Sequence, residues 1–441
     1  MILLSISILI FLLFVLSLYQ VELLFPILFG THFLTGVLNQ FFHTGFLGSS
    51  LTGLTNMMTI TLYLVSVMSF MINRDRFQHD LLKYYCLCVL FFLPTLIINY
   101  QLNDLIRFFS RTAAYLLIYY FCQLWLQKTV DSEEKIILFL KIFFMFSVLA
   151  GSYNLLQNNF DYQKCITGKF NFFIFEFPHS FTIFISSLVP IFIYYIHSGR
   201  ISRKYFVIIF VFLPIIILYS GAKIGLITFF LCIMVTIATI YRNSKRYYLA
   251  IILLIFIASY LFYISPVFTE IQNIFSKSIW SYIYDTRTYS ENSFHTRVKT
   301  WVFMTDYIFQ SDKWLFGEGW RSWNNVQQLY NLSSSQSDYF TYFFDTGIIG
   351  LLGFLLFRFL VILQMFKYAR IDQSAFFLAI GMIFSLFLGG LSENVEGYPS
   401  TSWLLPVMFA FSGYLSRPHV AVLSALKRKT IQLSKLRKLT R

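Results

Sequence analysis

The chain of 441 residues is 57% hydrophobic and only 12% charged, and its formal net charge is +14 at pH 7. That charged share is about half of what an ordinary soluble domain carries, which excludes a water-soluble globular fold. Apolar segments of about 20 residues, enough to cross a hydrocarbon core of about 30 Å, recur along the chain. Because lipid offers no hydrogen bonds to the backbone, these segments are predicted to be helices. We expect one all-α, polytopic membrane domain covering residues 1–441.

Twelve transmembrane helices are predicted. In chain order they are 1–19, 51–72, 81–98, 105–126, 136–157, 177–197, 205–219, 222–241, 247–265, 337–364, 374–391 and 401–416. The first segment lacks the basic start and small-residue cleavage site of a signal peptide, so we expect it to be retained. Segment 23–42 is apolar but interrupted by Pro26, Gly30 and Gly36. It is predicted to be re-entrant or to lie on the membrane surface.

Lysine and arginine set the predicted orientation. Five basic turns alternate with turns that carry few basic residues: 74–83, 128–141, 200–204, 242–246 and 358–370. By the positive-inside rule these turns face the cytoplasm, as does the basic tail 417–441. The tail either lies on the anionic inner leaflet or is solvated. The net charge therefore reflects topology, and nucleic acid is not an expected partner.

One long polar segment, residues 266–336, interrupts the hydrophobic pattern and is predicted to form a large loop on the outer side. It holds five of the seven tryptophans and a cluster of charges. Long loops are uncommon unless they are functional, so we expect the chemistry there. No spacing of cysteine or histidine is typical of a metal site, and no cofactor is expected.

Two cations are candidates for binding an anion. Lys223 starts a predicted helix, where a positive charge opposes the helix dipole and so needs another reason to be present. It either binds an anionic group such as phosphate or extends to the lipid headgroups. Arg297 lies at helical spacing with Thr300 and Trp301, which indicates a short helix on the membrane. Its guanidinium suits phosphate or carboxylate, although a solvated surface arginine is the alternative.

The stretch FGEGWRSWNN, residues 316–325, is a candidate sugar site. Its glycines permit a tight turn that would display Glu318, Trp320, Arg321 and Trp323. Tryptophan rings can stack on sugars and carboxylates can accept hydrogen bonds from sugar hydroxyls. The alternative for the tryptophans is an aromatic belt at the membrane interface.

Acidic side chains accompany the start of the predicted helix 337–364. Asp338 falls in the first turn, where it either serves in the site or caps the helix. Asp345 lies seven residues later on the same face, and is predicted to lie inside the membrane boundary, where a carboxylate indicates function. Arg107 and Arg111 share a face near the outer end of helix 105–126 and need anions, either carboxylates or a ligand's phosphates.

Four motifs occur in an order that resembles the bacterial O-antigen polymerase and O-antigen ligase superfamily. They are FPHSFTIFISSLVP (177–190), SGAKIGLI (220–227), RVKTW with LFGEGW (297–301 and 315–320), and DYFTYFFDTGIIGLLGF (338–354). Members of this superfamily typically have about twelve spans and one long periplasmic loop before the last three. Aligned on Gly347 and Gly350, the histidine of the ligases is replaced by Gln336, and Asp338 is close by. This difference favours the polymerases over the ligases.

The resemblance implies a metal-independent glycosyltransferase of the bacterial inner membrane, with 266–336 as its periplasmic loop. Its substrate would be an undecaprenyl-pyrophosphate-linked oligosaccharide. Lys223 and Arg297 would stabilise the departing pyrophosphate and Asp338 would be the catalytic base. Substrate-binding candidates are Arg111, Glu318, Trp320, Arg321, Trp323 and Asp345. A chain-length regulator and a flippase of the same pathway are implied as partners, and the bilayer is the environment.

A rival class is a flippase or other transporter of lipid-linked glycans, with basic residues lining its path. Many transporters show two related halves. This chain instead has nine predicted spans, one large loop and three further spans, which favours a membrane enzyme.

Overall fold

The computed structural model describes residues 25, 80–99, 102–127, 132–161, 178–220, 222–242, 256, 260, 263, 293–319, 322, 326, 337–392 and 403–417. Every regular element within these ranges is helical. The helices are α1 Asp80–Ile98, α2 Leu102–Gln127, α3 Ser132–Gln157, α4 Pro178–His197, α5 Tyr205–Tyr219, α6 Lys223–Tyr241, α7 Ser293–Gln310, α8 Asp338–Ala369, α9 Gln373–Ile383 continued by Phe384–Leu388 and Gly389–Ser392, and α10 Leu404–Leu415.

Six of the described helices are long and apolar enough to cross a membrane: α1, α3, α4, α6, α8 and α9. The all-α membrane class is therefore confirmed. The count of twelve spans stays a prediction, because spans 1–19 and 51–72 and most of 247–265 lie outside the described residues. Segment 23–42, apart from Phe25, and the tail beyond Arg417 also lie outside them.

The outer surface of α3 has the composition of a lipid-facing surface. Leu138, Ile142, Leu149 and Leu156 are all more than half exposed and recur at helical spacing along one side. An unbroken exposed stripe of large aliphatic side chains is unfavourable in water and favourable against lipid tails. This stripe supports the placement of the bundle in a bilayer.

Helix α4 is the centre of the bundle, since 94% of its span Ser180–His197 is buried. Its neighbour α6 runs parallel to it. Gly225 at the start of α6 lies against the Thr182 side chain, and Tyr241 at its end pairs with His197 at 3.3 Å. The starts of α4 and α6 therefore lie at the same end of the bundle.

Helix α9 packs on α4 in the opposite direction. Gly381 lies so close to the Ser187 carbonyl that an added Cβ would be 2.1 Å from the oxygen, and Ser385 donates a hydrogen bond to the Ile183 carbonyl. The residues that follow Ser385, including Gly390, therefore lie at the end of the bundle where α4 and α6 begin.

Helix α8 is a hairpin of two arms rather than one continuous span. Gly347 has φ 67° and ψ −171°, which interrupts the helix. Twenty residues of straight helix would separate Asp338 from Arg358 by about 30 Å, yet their side chains are 2.7 Å apart. The rings of Tyr342 and Phe354 also stack across the two arms, with centroids 3.9 Å apart. The prediction of a single transmembrane helix 337–364 is therefore wrong.

The loop 313–319 holds the ends of both arms of this hairpin. The N–H groups of Glu318 and Gly319 donate to the carbonyls of Phe344 and Asp345, and the Ile348 N–H donates to the Trp314 carbonyl. These bonds satisfy backbone groups that the break leaves without helical partners. From α1, the Thr95 hydroxyl donates to the Phe316 carbonyl at 2.7 Å and fixes the loop to the bundle.

Two glycines allow this loop to reach the break. A Cβ on Gly347 would lie 2.3 Å from the Leu315 carbonyl, and a Cβ on Gly317 would lie 2.5 Å from the Asp345 carbonyl. Both glycines also have positive φ, at 67° and 73°. The two backbones therefore cross where neither tolerates a side chain.

Replacing Gly347 with alanine should lower the free energy of unfolding by about 1–3 kcal/mol, because alanine is strained at this positive φ and its Cβ meets the Leu315 backbone. The measurement is thermal unfolding of the purified protein in detergent. Leu352→Ala on the exposed side of the same helix is the control and should change the midpoint far less. Equal midpoints for Gly347→Ala and the unaltered protein would contradict the hairpin.

The hairpin corrects two further predictions. Arg358 was predicted to be in a cytoplasmic turn, but it follows Gly347 by 11 residues, about 16 Å of helix, and is fully buried. Asp345 was predicted to lie deeper than Asp338. In the structure Asp345 lies beside the hairpin turn, whereas Asp338 lies beside the middle of the second arm. In a bilayer Asp338 is therefore the deeper carboxylate.

Candidate functional site

Helix α7 packs lengthwise against the first arm of α8. The rings of Trp301 and Phe340 are stacked at 4.9 Å with an interplanar angle of 6°, and Tyr307 lies 5.7 Å from Phe344. Contacts in this order show that the two segments run in the same direction. The beginning of α7 therefore lies beside the beginning of α8.

Arg297 lies on the face of α7 that is turned inward. It forms a buried stripe with Thr300, Met304 and Ile308, at the three- and four-residue spacing of one helix face. Met304 and Ile308 share an apolar cluster with Phe344 of the first arm. The predicted helix around Arg297 is confirmed, but the arginine is 9% exposed rather than solvated. Its position one turn before Trp301 brings it level with the start of α8.

Asp338 and Arg358 form a buried ion pair across the hairpin. Nη2 of Arg358 donates to Oδ2 of Asp338 at 2.7 Å, and the two side chains are 0% and 3% exposed. Nη1 of the arginine donates to the Leu386 carbonyl at 2.8 Å, and its guanidinium lies 4.0 Å above the Phe354 ring. A charge that is buried away from water needs an opposite charge or hydrogen bonds to stabilise it. Here the carboxylate and the guanidinium stabilise each other.

A π-helical stretch in α9, Phe384–Leu388, supplies carbonyl acceptors to this pair. In a π-helix the hydrogen-bond pattern shifts by one residue and carbonyls become available to side chains. Arg358 uses the Leu386 carbonyl, and the Tyr339 hydroxyl donates to the Phe387 carbonyl at 3.0 Å. Such π-helical turns are frequent at functional sites, which supports a role beyond packing.

Gly390 of α9 packs directly against the Asp338–Arg358 pair. A Cβ at this position would lie 3.0 Å from Nη1 of Arg358 and 3.3 Å from Oδ2 of Asp338. The Ser337 hydroxyl donates to the Gly390 carbonyl at 3.2 Å and fixes the start of the first arm to α9. The carboxylate is thus held between three elements, namely both arms of α8 and the end of α9.

Lys223 is the first residue of α6, as predicted, and its side chain lies outside the described residues. Helix α6 contacts the segment Gly389–Ser392, which also contacts α8. Ser220 shapes the turn before α6, because its hydroxyl accepts a hydrogen bond from the Ala222 N–H at 3.3 Å. The starts of α6 and α8 therefore both lie near Gly389–Ser392, and the separation of Lys223 from Arg297 stays a prediction.

Two of the other predicted residues have local partners. Glu318 pairs with Lys313 at 2.7 Å and accepts from the Ser311 hydroxyl. Asp345 accepts from the Ser322 hydroxyl at 3.2 Å. Three predicted sugar-binding residues and one side chain lie outside the described residues: Trp320, Arg321, Trp323 and the side chain of Arg111.

Sequence reasoning missed Arg358 as a member of the site. The available signal was a single arginine within the apolar run GLLGFLLFRFLVIL, residues 350–363. An ionisable residue in the middle of a span indicates function or an ion pair. Arg358 was instead counted in the predicted basic turn 358–370, because the positive-inside rule assigns a basic residue near a predicted helix end to the cytoplasm.

The chain matches none of the protein-family models scanned and none of the curated proteins searched. The part of the chain that the structure describes contains no group of three His, Cys, Asp or Glu side chains able to hold a metal ion. What the described geometry offers is a desolvated carboxylate with its guanidinium partner, and a second buried arginine at the same level. This arrangement can orient a hydroxyl group and attract an anion.

Proposed function

We propose that the protein is a polymerase of bacterial surface polysaccharide, a membrane glycosyltransferase that uses an undecaprenyl-pyrophosphate-linked donor. The observation that carries the proposal is the buried Asp338–Arg358 pair at the start of an α8 arm, beside the arginine-bearing end of α7. Both elements carry motifs that resemble the O-antigen polymerase and ligase superfamily. Apolar helices with a recessed, charged end suit a substrate that has a lipid tail and a polar head.

Transfer would break the bond between the anomeric carbon of the donor glycan and the pyrophosphate oxygen, and form a bond from that carbon to an acceptor hydroxyl oxygen. The acceptor is the terminal sugar of a new lipid-linked repeat unit. The bonding electrons leave with the pyrophosphate, so negative charge develops on the leaving group. Cations fixed beside it stabilise that transition state more than the ground state. Arg297 and Lys223 are assigned this role.

Asp338 is assigned to the acceptor hydroxyl. The ion pair with Arg358 fixes the orientation of its carboxylate, so that it would accept the hydrogen bond of the hydroxyl and then its proton. Arg358 is thus a positioning residue for Asp338.

Aromatic and acidic residues of the 266–336 region are assigned to the sugars. Glu318 lies in loop 313–319 beside the turn of the hairpin, and Asp345 lies next to the same turn. Trp320, Arg321 and Trp323 belong to the same stretch of sequence. The site would then extend from sugars at the hairpin turn to pyrophosphate at the recessed carboxylate. Arg111 is a further candidate for the pyrophosphate.

The test is an assay with purified protein and a defined lipid-linked repeat unit. A ladder of glycans with release of undecaprenyl pyrophosphate is the expected result. Transfer of the glycan to a lipid A-core acceptor, without a ladder, would indicate a ligase instead. Movement of the intact lipid-linked unit across vesicles without any new glycosidic bond would indicate a transporter and would overturn the proposal.

A further inference from the structure

A buried amide donor near the end of α3 has no acceptor among the residues that the structure describes. Asn154 is 0% exposed, and its Nδ2 has no hydrogen-bond partner within the described structure. Its Oδ1 accepts from the Asn158 side chain at 2.8 Å, which fixes which atom of the amide is the oxygen. A buried, unpaired donor costs about 1–3 kcal/mol, so a fold has no reason of its own to keep it.

The direction of this amide follows from its helix neighbours. One turn earlier, Gly151 lies against Ile216 of α5 and Phe181 of α4. Further along, Phe160 contacts Tyr219, so α3 and α5 run side by side in the same direction. Asn154 therefore faces the junction where α5 ends and α4 begins, level with the Tyr219–Ser220 turn.

Helix α6 begins in the same junction. Gly225 in its first turn packs on Thr182 of α4, one residue after the Phe181 that Gly151 contacts. The first N–H groups of an α-helix have no partner within the helix and attract anions. The Ala222 N–H is bonded to the Ser220 hydroxyl, so the N–H groups that follow it in the first turn are those left to face the junction.

We propose that Asn154 is a substrate-binding residue whose amide donates a hydrogen bond to a phosphate oxygen held at the start of α6. The ligand class is a lipid-linked diphosphate. The first-turn N–H groups of α6 would donate to the same anion, and Lys223, the first residue of that helix, is assigned the charge that balances it. The inference rests on the proposed function, because it places the pyrophosphate of that substrate.

The experiment measures binding of undecaprenyl diphosphate to purified protein in maltoside micelles, which contain no phosphate. Asn154→Leu should weaken binding by about 10- to 100-fold, the value of a hydrogen bond to a charged group. Asn154→Asp should weaken it further, because its carboxylate repels the diphosphate. Gln157→Ala, which removes an exposed amide on the same turn of α3, is the matched control and should retain binding within about twofold.

A stability measurement separates binding from folding. Because Nδ2 has no partner within the described part of the chain, Asn154→Leu should unfold at the same temperature as the unaltered protein or at a higher one. Unchanged binding of undecaprenyl diphosphate by Asn154→Leu would overturn the inference. The inference would also be overturned if Asn154→Leu kept its affinity for undecaprenyl diphosphate and lost affinity for the membrane lipid phosphatidylglycerol. If the unaltered protein binds undecaprenyl diphosphate through Asn154 but forms no polymer, the inference stands and the proposed function fails.

Discussion

Replacing Arg358 with methionine should destabilise the protein by about 3–5 kcal/mol, because it leaves the Asp338 carboxylate buried without its partner. Methionine keeps much of the volume of the arginine side chain and its contact with the Phe354 ring, so the loss reports the charge rather than a cavity. A loss of this size is a large fraction of the stability of a typical folded protein, about 5–15 kcal/mol. The measurement is the fraction of monodisperse protein after extraction, together with its unfolding midpoint.

The control for this prediction is the double variant Asp338→Asn/Arg358→Met. Removing both charges of a buried pair is often neutral or stabilising, so the double variant should recover most of the lost stability while remaining inactive. Arg358→Lys keeps the charge and loses the fork of donors. Its stability should therefore lie between that of Arg358→Met and that of the unaltered protein. If Arg358→Met were as stable as the unaltered protein, the ion pair would not hold the hairpin.

The second large effect is expected for Asp338→Asn, which should lower the rate of glycan transfer by about 100- to 10,000-fold, the usual contribution of a positioned base. Asparagine preserves the shape of the side chain and can still accept a hydrogen bond from Arg358. Alanine is the poorer choice, because it would leave a buried guanidinium without an acceptor and so confound inactivity with misfolding. The measurement is turnover of a defined lipid-linked repeat unit.

Binding provides the control for Asp338→Asn. The variant should retain affinity for undecaprenyl diphosphate, because the proposed contacts to the phosphates come from Arg297, Lys223 and Asn154. A folded Asp338→Asn protein that polymerises at the unaltered rate would remove this carboxylate from the mechanism. A folded variant that is inactive only because it no longer binds the lipid would reassign Asp338 to binding.

Much of the helical framework could be predicted from the sequence, because apolar runs of 15 to 26 residues leave lipid-embedded backbone no alternative to helix. The start of α6 at Lys223 was predicted in this way, whereas the helix around Arg297 was predicted from its helical spacing with Thr300 and Trp301. The break at Gly347 could not be, because apolar residues lie before Asp345 and after the glycine, and a glycine is tolerated within a membrane helix. Only the approach of loop 313–319 from elsewhere in the chain makes the reversal evident.

The site was less predictable because its contacts depend on that reversal. Asp338 was recognised from its place in a helix start, but its partner Arg358 lies 20 residues away and becomes a neighbour only when the hairpin folds. Asn154 gave no signal at all, because an asparagine near a helix end is ordinary in sequence. Its significance comes from burial and from an unpaired Nδ2, which are properties of the packed bundle.

The central claim is that one recessed end of the bundle, where α6 and α8 begin, receives a lipid diphosphate beside the Asp338–Arg358 pair. The most direct measurement is a structure of the purified protein in a lipid nanodisc with undecaprenyl diphosphate bound. The account predicts phosphate density at the start of α6, in contact with Lys223 and on the side of the bundle that holds Arg297. Density at the opposite end, near Lys367 and Arg370, would contradict it.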